Sequence, residues 1–286
     1  MSGRPNGRRS PPAPTNQMTR SRRQSLLSTP LCGGVLLLLV SCGADPVGPD
    51  RGADGVLDVL FIGNSLTYYN DLPGMLEGLF ALRDGGSINA QSVAYGGAGL
   101  PDHWEDGESR RQIAEGGWDV VVLQQGPSAT EGRPYLIDYA ELFAVEIRAV
   151  GAQPALYMVW PAEERFFDFD GVSDSYATAA DLVDGLLFPA GEAWRAAWEV
   201  DPALELYGPD RFHPSLRGTY LAALVMYEQL SGKDPRELPA AIPVGGGYQF
   251  LSEPEAGSLQ TAAVQANADF ARTTLRGTPG RERSRH

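Results

Sequence analysis

Hydrophobic residues in this chain fall into short runs separated by longer amphipathic stretches, beginning at residue 56. The apolar runs predict strands at residues 56–62, 88–94, 119–124, 154–160 and 186–188. Apolar residues at helical spacing predict helices at residues 72–82, 134–150, 176–186, 191–200, 214–230 and 255–275, with another helical stretch ending near residue 115. Strands that alternate with helices form parallel sheets, so the sequence predicts one three-layer α/β domain with about five parallel strands.

The chain before residue 56 has a different composition. Arg22 and Arg23 precede a short apolar run at residues 33–40, which is the pattern of a signal peptide and is too short to cross a membrane, since a span needs about 20 apolar residues. The sequence therefore predicts a signal peptide at residues 1–41. Its adjacent arginines are similar to a twin-arginine signal, so the export route stays open.

The signal peptide ends in Leu39-Val-Ser-Cys42, which resembles the lipobox of bacterial lipoproteins. The resemblance implies lipidation of Cys42 and an extracytoplasmic protein that is lipid-anchored to a bacterial membrane. The alternative is an ordinary signal peptide with an incidental cysteine. Residues 42–55 are rich in Gly, Pro and Asp and predict a flexible tether; residues 56–275 form the predicted domain, and residues 276–286 a disordered tail.

Charge and cysteine content exclude several classes of protein. The formal net charge is −13, which argues against a nucleic-acid partner because phosphate binding needs a basic surface. Cys32 and Cys42 both precede the predicted domain, which leaves it without a disulfide framework or a thiolate metal site. We find no glycine loop for phosphate and predict neither a cofactor nor a metal.

Two stretches carry candidate chemistry. Gly63 breaks the first apolar run and is followed by Ser65, at the carboxyl end of a predicted buried strand, where open α/β folds place reactive groups. Asp210 precedes His213 by three residues, so its carboxylate can bend back to hold one imidazole tautomer. In the alternative interpretation, Asp210 caps the turn and His213 is an ordinary surface residue.

Together, Gly63-Asn-Ser-Leu-Thr67 after a first strand and Asp210-Arg-Phe-His-Pro214 before a late helix resemble the first and fifth blocks of the SGNH/GDSL hydrolase family. The resemblance implies a flavodoxin-like α/β/α sandwich. It also implies that Ser65 is the nucleophile of an esterase, His213 its base and Asp210 the residue that orients the base.

In this family the oxyanion donors are the N–H of the serine, a glycine N–H and a side-chain amide. The resemblance implies Ser65 and Gly97 for the first two, with Gly99 as the rival glycine. The third block departs from the usual Gly-x-Asn-Asp, because Gln125-Gly-Pro-Ser128 stands there; it resembles the Gln-Gly-Glu-Ser of the sialate O-acetylesterase branch. Gln125 is therefore the expected third donor, and Gln124 is the alternative.

Further residues are candidates for the substrate pocket. Asn64 belongs to the first block. His103 can line the pocket or serve as a second base; the alternative is a polar residue on the flank of a helix. The spacing from the glycines to Trp104 is similar to a Gly-Gly…Trp pattern of the sialate O-acetylesterase branch. Trp160, at the end of the fourth predicted strand, is a pocket wall or a core residue.

The sequence thus predicts a serine esterase that forms an acyl-enzyme, with a small-molecule or glycan ester as its partner and short-acyl (acetyl) esters on carbohydrate as the favoured substrates. A lipid or other acyl-ester hydrolase and an acyltransferase of the same fold are alternatives. A non-catalytic glycan-binding surface lipoprotein is the alternative from a different class.

Overall fold

The computed structural model describes residues 55–83 and 86–275. The signal peptide at residues 1–41, the lipidation site Cys42 and the tail at residues 276–286 lie outside the described residues, as does the tether at residues 42–55 apart from Gly55. These assignments, and the lipid anchor that depends on them, stay predictions.

A parallel sheet forms the centre of the fold. Its strands are β1 Val56–Gly63, β2 Ser87–Ala94, β3 Val120–Leu123, β4 Gln153–Tyr157 and β5 Leu186–Phe188. They lie in the order β2-β1-β3-β4-β5, and every neighbouring pair is parallel. This is the flavodoxin-like strand order. The predicted three-layer α/β/α fold with about five parallel strands is confirmed.

Helices flank the sheet in two groups. In chain order they are α1 Ser65–Tyr68, α2 Leu72–Leu82, α3 Leu100–Asp106, α4 Glu108–Glu115, α5 Arg133–Ala149, α6 Phe169–Leu182, α7 Ala190–Val200, α8 Leu216–Ser231 and α9 Glu253–Leu275. Helices α2, α7, α8 and α9 pack together, and α3, α4, α5 and α6 form the second group. None of the helices that the structure describes combines the length and the apolar character needed to cross a membrane.

The central strands β1 and β3 explain the position of the predicted active site. All four residues of β3 are fully buried, as expected for a parallel strand covered by helices on both faces. After β1 the chain moves to β2 on one side and then crosses to β3 on the other, which makes the carboxyl ends of β1 and β3 a topological switch point. Ligands of open α/β sheets bind in the crevice at such a point. Gly63 and Gln124 lie at these two strand ends.

The largest differences from the predicted boundaries concern β4 and α6. β4 ends at Tyr157 instead of residue 160, because its partner β5 has only three residues, although the chain stays buried as far as Trp160. Helix α6 begins at Phe169, seven residues before its predicted start at Tyr176. The helix buries an apolar face that contains Phe169, Val172 and Tyr176. In the sequence, the acidic residues between these positions make the apolar spacing hard to recognise.

A two-stranded antiparallel sheet was not predicted. Strands β6 Ala241–Val244 and β7 Gly247–Phe250 are joined by Gly245 and Gly246, which have φ angles of 54° and 82°. Two consecutive positive φ angles favour a Gly-Gly turn of the type that closes tight hairpins. The three consecutive glycines were the signal that could have revealed this hairpin.

Candidate active site

Ser65 lies on a sharp turn directly beyond the carboxyl end of β1. It is the first residue of α1, and Asn64 before it is the N-cap, whose Oδ1 accepts a hydrogen bond from Leu66 N at 3.1 Å. A Cβ at Gly63 would lie only 2.5 Å from Gln124 Oε1, so this position requires glycine. The order strand, glycine, capping residue, serine thus places Ser65 at the rim of the sheet.

Ser65, His213 and Asp210 form a continuous hydrogen-bonded chain. His213 Nε2 lies 2.8 Å from Ser65 Oγ, although 148 residues separate the two in sequence. His213 Nδ1 lies 2.5 Å from Asp210 Oδ2. The carboxylate accepts the Nδ1 proton, and this leaves the Nε2 lone pair to accept the serine proton. The arrangement matches the one that activates a serine as a nucleophile.

Asp210 is held in its ionised form. The hydrogen bond from the His213 side chain is the main cause of a lowered pKa at Asp210, and backbone N–H groups add to it. Asp210 Oδ1 accepts from His213 N at 2.9 Å and from Phe212 N at 3.1 Å. The carboxylate therefore both caps its own turn and orients the imidazole. The alternative of His213 as an ordinary surface residue is wrong, because its Nε2 contacts Ser65 Oγ.

Trp160 fixes the loop that carries Asp210 and His213. Its ring is fully buried and stacks on Trp194 with the ring centroids 3.6 Å apart. Its Nε1 donates to the carbonyl of Phe212 at 3.1 Å. Of the two predictions for Trp160, the core residue is confirmed and the pocket wall is wrong, because the side chain is fully buried. Its indole holds the loop that carries Asp210 and His213 in place.

Two backbone N–H groups of residues that line the cavity at Ser65 are available as donors. Within the residues that the structure describes, the N–H groups of Ser65 and Gly97 have no hydrogen-bond partner, and both residues line the same cavity. The rival Gly99 is engaged, because its N–H donates to Asp102 Oδ2 at 2.7 Å. An oxyanion hole requires free donors of this kind. The geometry thus favours Gly97 over Gly99, and its role stays a prediction.

The side-chain amide of Gln125 is directed away from this role. Its Oε1 accepts from Leu100 N at 2.9 Å, while its Nε2 donates to Gly132 O at 2.9 Å and contacts Ser128 Oγ at 3.4 Å. Because Leu100 N can only donate and Gly132 O can only accept, these partners define which end is nitrogen. In this conformation Gln125 joins two loops and presents no free donor, which corrects the prediction of Gln125 as the third oxyanion donor.

Gln124, the alternative, is also committed to structural bonds. Its Oε1 accepts from Asn64 N and from Thr67 Oγ1, each at 2.9 Å, and its Nε2 donates to Gln125 O. The side chain is fully buried. Gln124 therefore links the carboxyl end of β3 to the nucleophile turn.

A backbone group that the sequence did not suggest replaces these amides as the candidate third donor. Gln125 O faces the buried side, where Gln124 Nε2 and the Tyr176 hydroxyl donate to it. A trans peptide directs the following N–H, that of Gly126, to the opposite side. Among the described residues this N–H has no partner, and Gly126 lines the cavity that contains Ser65.

His103 is not part of the pocket. It is fully buried, with Nε2 at 2.8 Å from Gly63 O and Nδ1 at 2.9 Å from Ser109 Oγ. Since Gly63 O can only accept, Nε2 carries the proton and Nδ1 accepts from the serine hydroxyl. Burial lowers the pKa of His103, which favours this neutral form. His103 thus fastens the end of β1, and the prediction that it lines the pocket or acts as a base is wrong.

Trp104 also lies away from the substrate cavity. Its ring packs edge-on against Phe143 at 5.2 Å and Tyr139 at 6.4 Å, and the Arg110 guanidinium lies 4.3 Å from the ring centroid. These contacts join α3 to α5. The prediction of Trp104 as a pocket residue is therefore wrong, whereas Asn64 lines the cavity as predicted.

The cavity beside Ser65 has a volume of about 490 Å³. This lies within the range of small-molecule sites, roughly 300–1,000 Å³. Its walls consist mainly of backbone and apolar side chains, with the aromatic rings of Tyr135 and Phe212 at its side. Across residues 55–83 and 86–275, no group of three or more His, Cys, Asp and Glu side chains is placed to hold a metal ion.

Many solved structures resemble this chain, among them the following two. A protein from Slackia heliotrinireducens that is proposed to be an SGNH hydrolase is 27% identical, with a TM-score of 0.53 over 61% of this chain and 99% of that one. A DUF4886 family protein from Bacteroides uniformis is 20% identical, with a TM-score of 0.59 over 74% of this chain and 94% of that one. No family model and no curated protein matches the chain.

The five-stranded parallel sheet and its helices give the chain an α/β fold that matches the protein proposed to be an SGNH hydrolase. The fold and the hydrogen-bonded Ser65–His213–Asp210 arrangement support an ester-hydrolysing enzyme.

Proposed function

We propose that this protein hydrolyses carboxylic esters through an acyl-enzyme on Ser65. The single observation that carries the proposal is the hydrogen-bonded chain from Asp210 through His213 to Ser65 Oγ. A serine hydroxyl is a weak nucleophile at neutral pH unless a positioned base accepts its proton. His213 Nε2 is in place to do so, and the Asp210 carboxylate stabilises the imidazolium that results.

The reaction has two steps. Ser65 Oγ attacks the ester carbonyl while its proton passes to His213 Nε2, and the leaving alcohol departs with that proton. A water molecule then attacks the acyl-enzyme, His213 accepts a proton from it, and the acid leaves as Ser65 regains its proton. The backbone N–H groups of Ser65, Gly97 and Gly126 donate to the oxyanion formed in each step; such donors lower the barrier by a few kcal/mol apiece.

The proposed substrates are short-acyl, especially acetyl, esters on carbohydrate. Two observations support this choice: the likeness of Gln125-Gly-Pro-Ser128 to the sialate O-acetylesterase pattern, and a cavity of about 490 Å³ that is much larger than an acetyl group needs. The additional space fits a sugar, and Tyr135 and Phe212 offer rings against which the apolar face of a sugar packs. Lipidation at Cys42 would place this activity at a membrane surface outside the cytoplasm.

Hydrolysis of p-nitrophenyl acetate and p-nitrophenyl butyrate by the wild type and by Ser65→Ala tests the activity. We expect turnover and fluorophosphonate labelling of Ser65 in the wild type and neither in Ser65→Ala. A wild-type protein that is folded yet shows no turnover and no label contradicts the hydrolase proposal and favours a non-catalytic glycan-binding protein. Comparing the rates of hydrolysis of acetylated oligosaccharides and of longer acyl esters tests the substrate preference. A product that forms only when an acceptor sugar is present would indicate acyl transfer.

A further inference from the structure

Tyr69 lies face to face with the imidazole of His213. The two ring centroids are 4.6 Å apart, and the ring planes are inclined by only 18°. Tyr69 is the C-cap of α1, and its backbone N–H donates to the carbonyl of Ser65. One residue therefore contacts the proposed base through its ring and the proposed nucleophile through its backbone.

The backbone after Tyr69 adopts an unusual conformation. Asn70 and Asp71 each have φ of 55°, in the left-handed region that residues other than glycine rarely occupy. Asn70 Nδ2 compensates by donating to Pro214 O at 3.0 Å and to Thr219 Oγ1 at 2.9 Å. Strain of this kind persists only where surrounding contacts hold it, and it is concentrated at functional sites. Here the Asn70 side chain bonds the segment that contains Tyr69 to Pro214, the residue that follows His213.

The imidazole of His213 is restrained on several sides. Asp210 and Ser65 hold its two nitrogens, and Phe212 approaches edge-on at 5.2 Å with the planes at 67°. Tyr69 supplies a flat aromatic face parallel to the imidazole. When His213 takes the Ser65 proton, the imidazole becomes a cation. An aromatic face attracts a cation that lies over it.

We propose that Tyr69 is a positioning residue for the reaction. Its ring keeps the imidazole in line with Ser65 Oγ and Asp210, and it stabilises the imidazolium that exists only after the serine proton has moved to Nε2. The proposal rests on the hydrolase function proposed above. Since the cation is absent from the resting enzyme and from the first substrate complex, the ring affects kcat more than KM.

Steady-state hydrolysis of p-nitrophenyl acetate by Tyr69→Leu, Tyr69→Phe and Tyr68→Leu tests this inference. We expect Tyr69→Leu to lower kcat about 10-fold and to change KM by less than about 2-fold, because it removes the aromatic face and keeps an apolar side chain. Tyr69→Phe keeps the face and should restore most of kcat. Tyr68 is the matched control, since it is a neighbouring exposed tyrosine that forms no ring pair with His213 among the described residues.

Several results would overturn the proposal. These are an unchanged kcat in Tyr69→Leu, an effect confined to KM, and an equal loss in Tyr69→Phe, which would point to the hydroxyl group. Thermal unfolding checks that each variant is folded, and Tyr69→Met repeats the comparison should Tyr69→Leu fail to fold. The rate of phosphonate labelling separates this inference from the hydrolase proposal: labelling of the wild type and Tyr69→Leu at equal rates defeats only the inference, whereas an unlabelled wild type defeats the proposed function.

Discussion

Gln124 Oε1 accepts the backbone N–H of Asn64 and the hydroxyl of Thr67, each at 2.9 Å, and so connects β3 directly to the turn that carries Ser65. Both donors are buried with Gln124. A buried donor that loses its acceptor costs free energy because no water replaces the bond. This amide therefore maintains the shape of the nucleophile turn.

Replacing Gln124 with methionine, which has a similar volume and no amide, should destabilise the protein. We expect the free energy of unfolding to fall by about 2–4 kcal/mol, since two buried donors lose their acceptor. Urea denaturation measures the change, with Gln265→Met on an exposed helical position as the control. A Gln124→Met protein as stable as Gln265→Met would show that the turn does not depend on this amide.

Replacing Gln125 with alanine tests whether its amide is structural or an oxyanion donor. The bonds to Leu100 N and Gly132 O predict a loss of stability of roughly 1–3 kcal/mol, because a buried N–H and a carbonyl lose their partners. We expect kcat of the folded variant to fall by much less than the ~10²–10³-fold that follows removal of an oxyanion donor. Unchanged stability with a loss of kcat in that range would return the donor role to Gln125.

The stability of the protein should depend on the protonation of His103. Burial lowers the pKa of His103 from its ordinary value of 6.5, so the unfolded chain binds this proton at a higher pH than the folded one. The contribution of His103 to the free energy of unfolding is complete above the pKa that the residue has in the unfolded chain. It is lost as the pH falls from there towards the pKa in the folded protein, at a slope of at most about 1.4 kcal/mol per pH unit.

His103→Gln provides the matched control for this titration. Its amide can donate to Gly63 O and accept from Ser109 Oγ, as the neutral imidazole does, but it does not titrate. Denaturant midpoints measured from pH 8 to pH 5 should decrease more steeply for the wild type than for His103→Gln. Parallel pH profiles for the two proteins would exclude His103 as the source of the pH dependence of stability.

Lipidation is tested by the two cysteines, which lie ten residues apart in the N-terminal segment. Cys42→Ala should release the protein from membranes in fractionated cells, because the lipid on this residue is the proposed anchor. Cys32→Ala is the matched control and should remain in the membrane fraction. Membrane association that persists in Cys42→Ala would remove the lipidation proposal.

The sequence by itself determined the fold and the three side chains of the proposed triad. Apolar runs alternating with amphipathic segments are a local property of the chain, and they predicted the strands of the parallel sheet with small errors at their ends. The Gly63 break after a buried strand, and the three-residue spacing from Asp210 to His213, are local as well. These two stretches identified Ser65, Asp210 and His213, which the structure brings into one hydrogen-bonded chain.

Only the tertiary structure decided which of the remaining polar and aromatic groups are free to act. The amides of Gln124 and Gln125 find partners on segments that approach them through folding, Gln124 across 57 residues to Thr67 and Gln125 across 25 to Leu100. His103 and Trp160 became buried supports for the same reason. A local pattern shows that a group can donate a hydrogen bond, but its availability depends on which elements the topology packs around it.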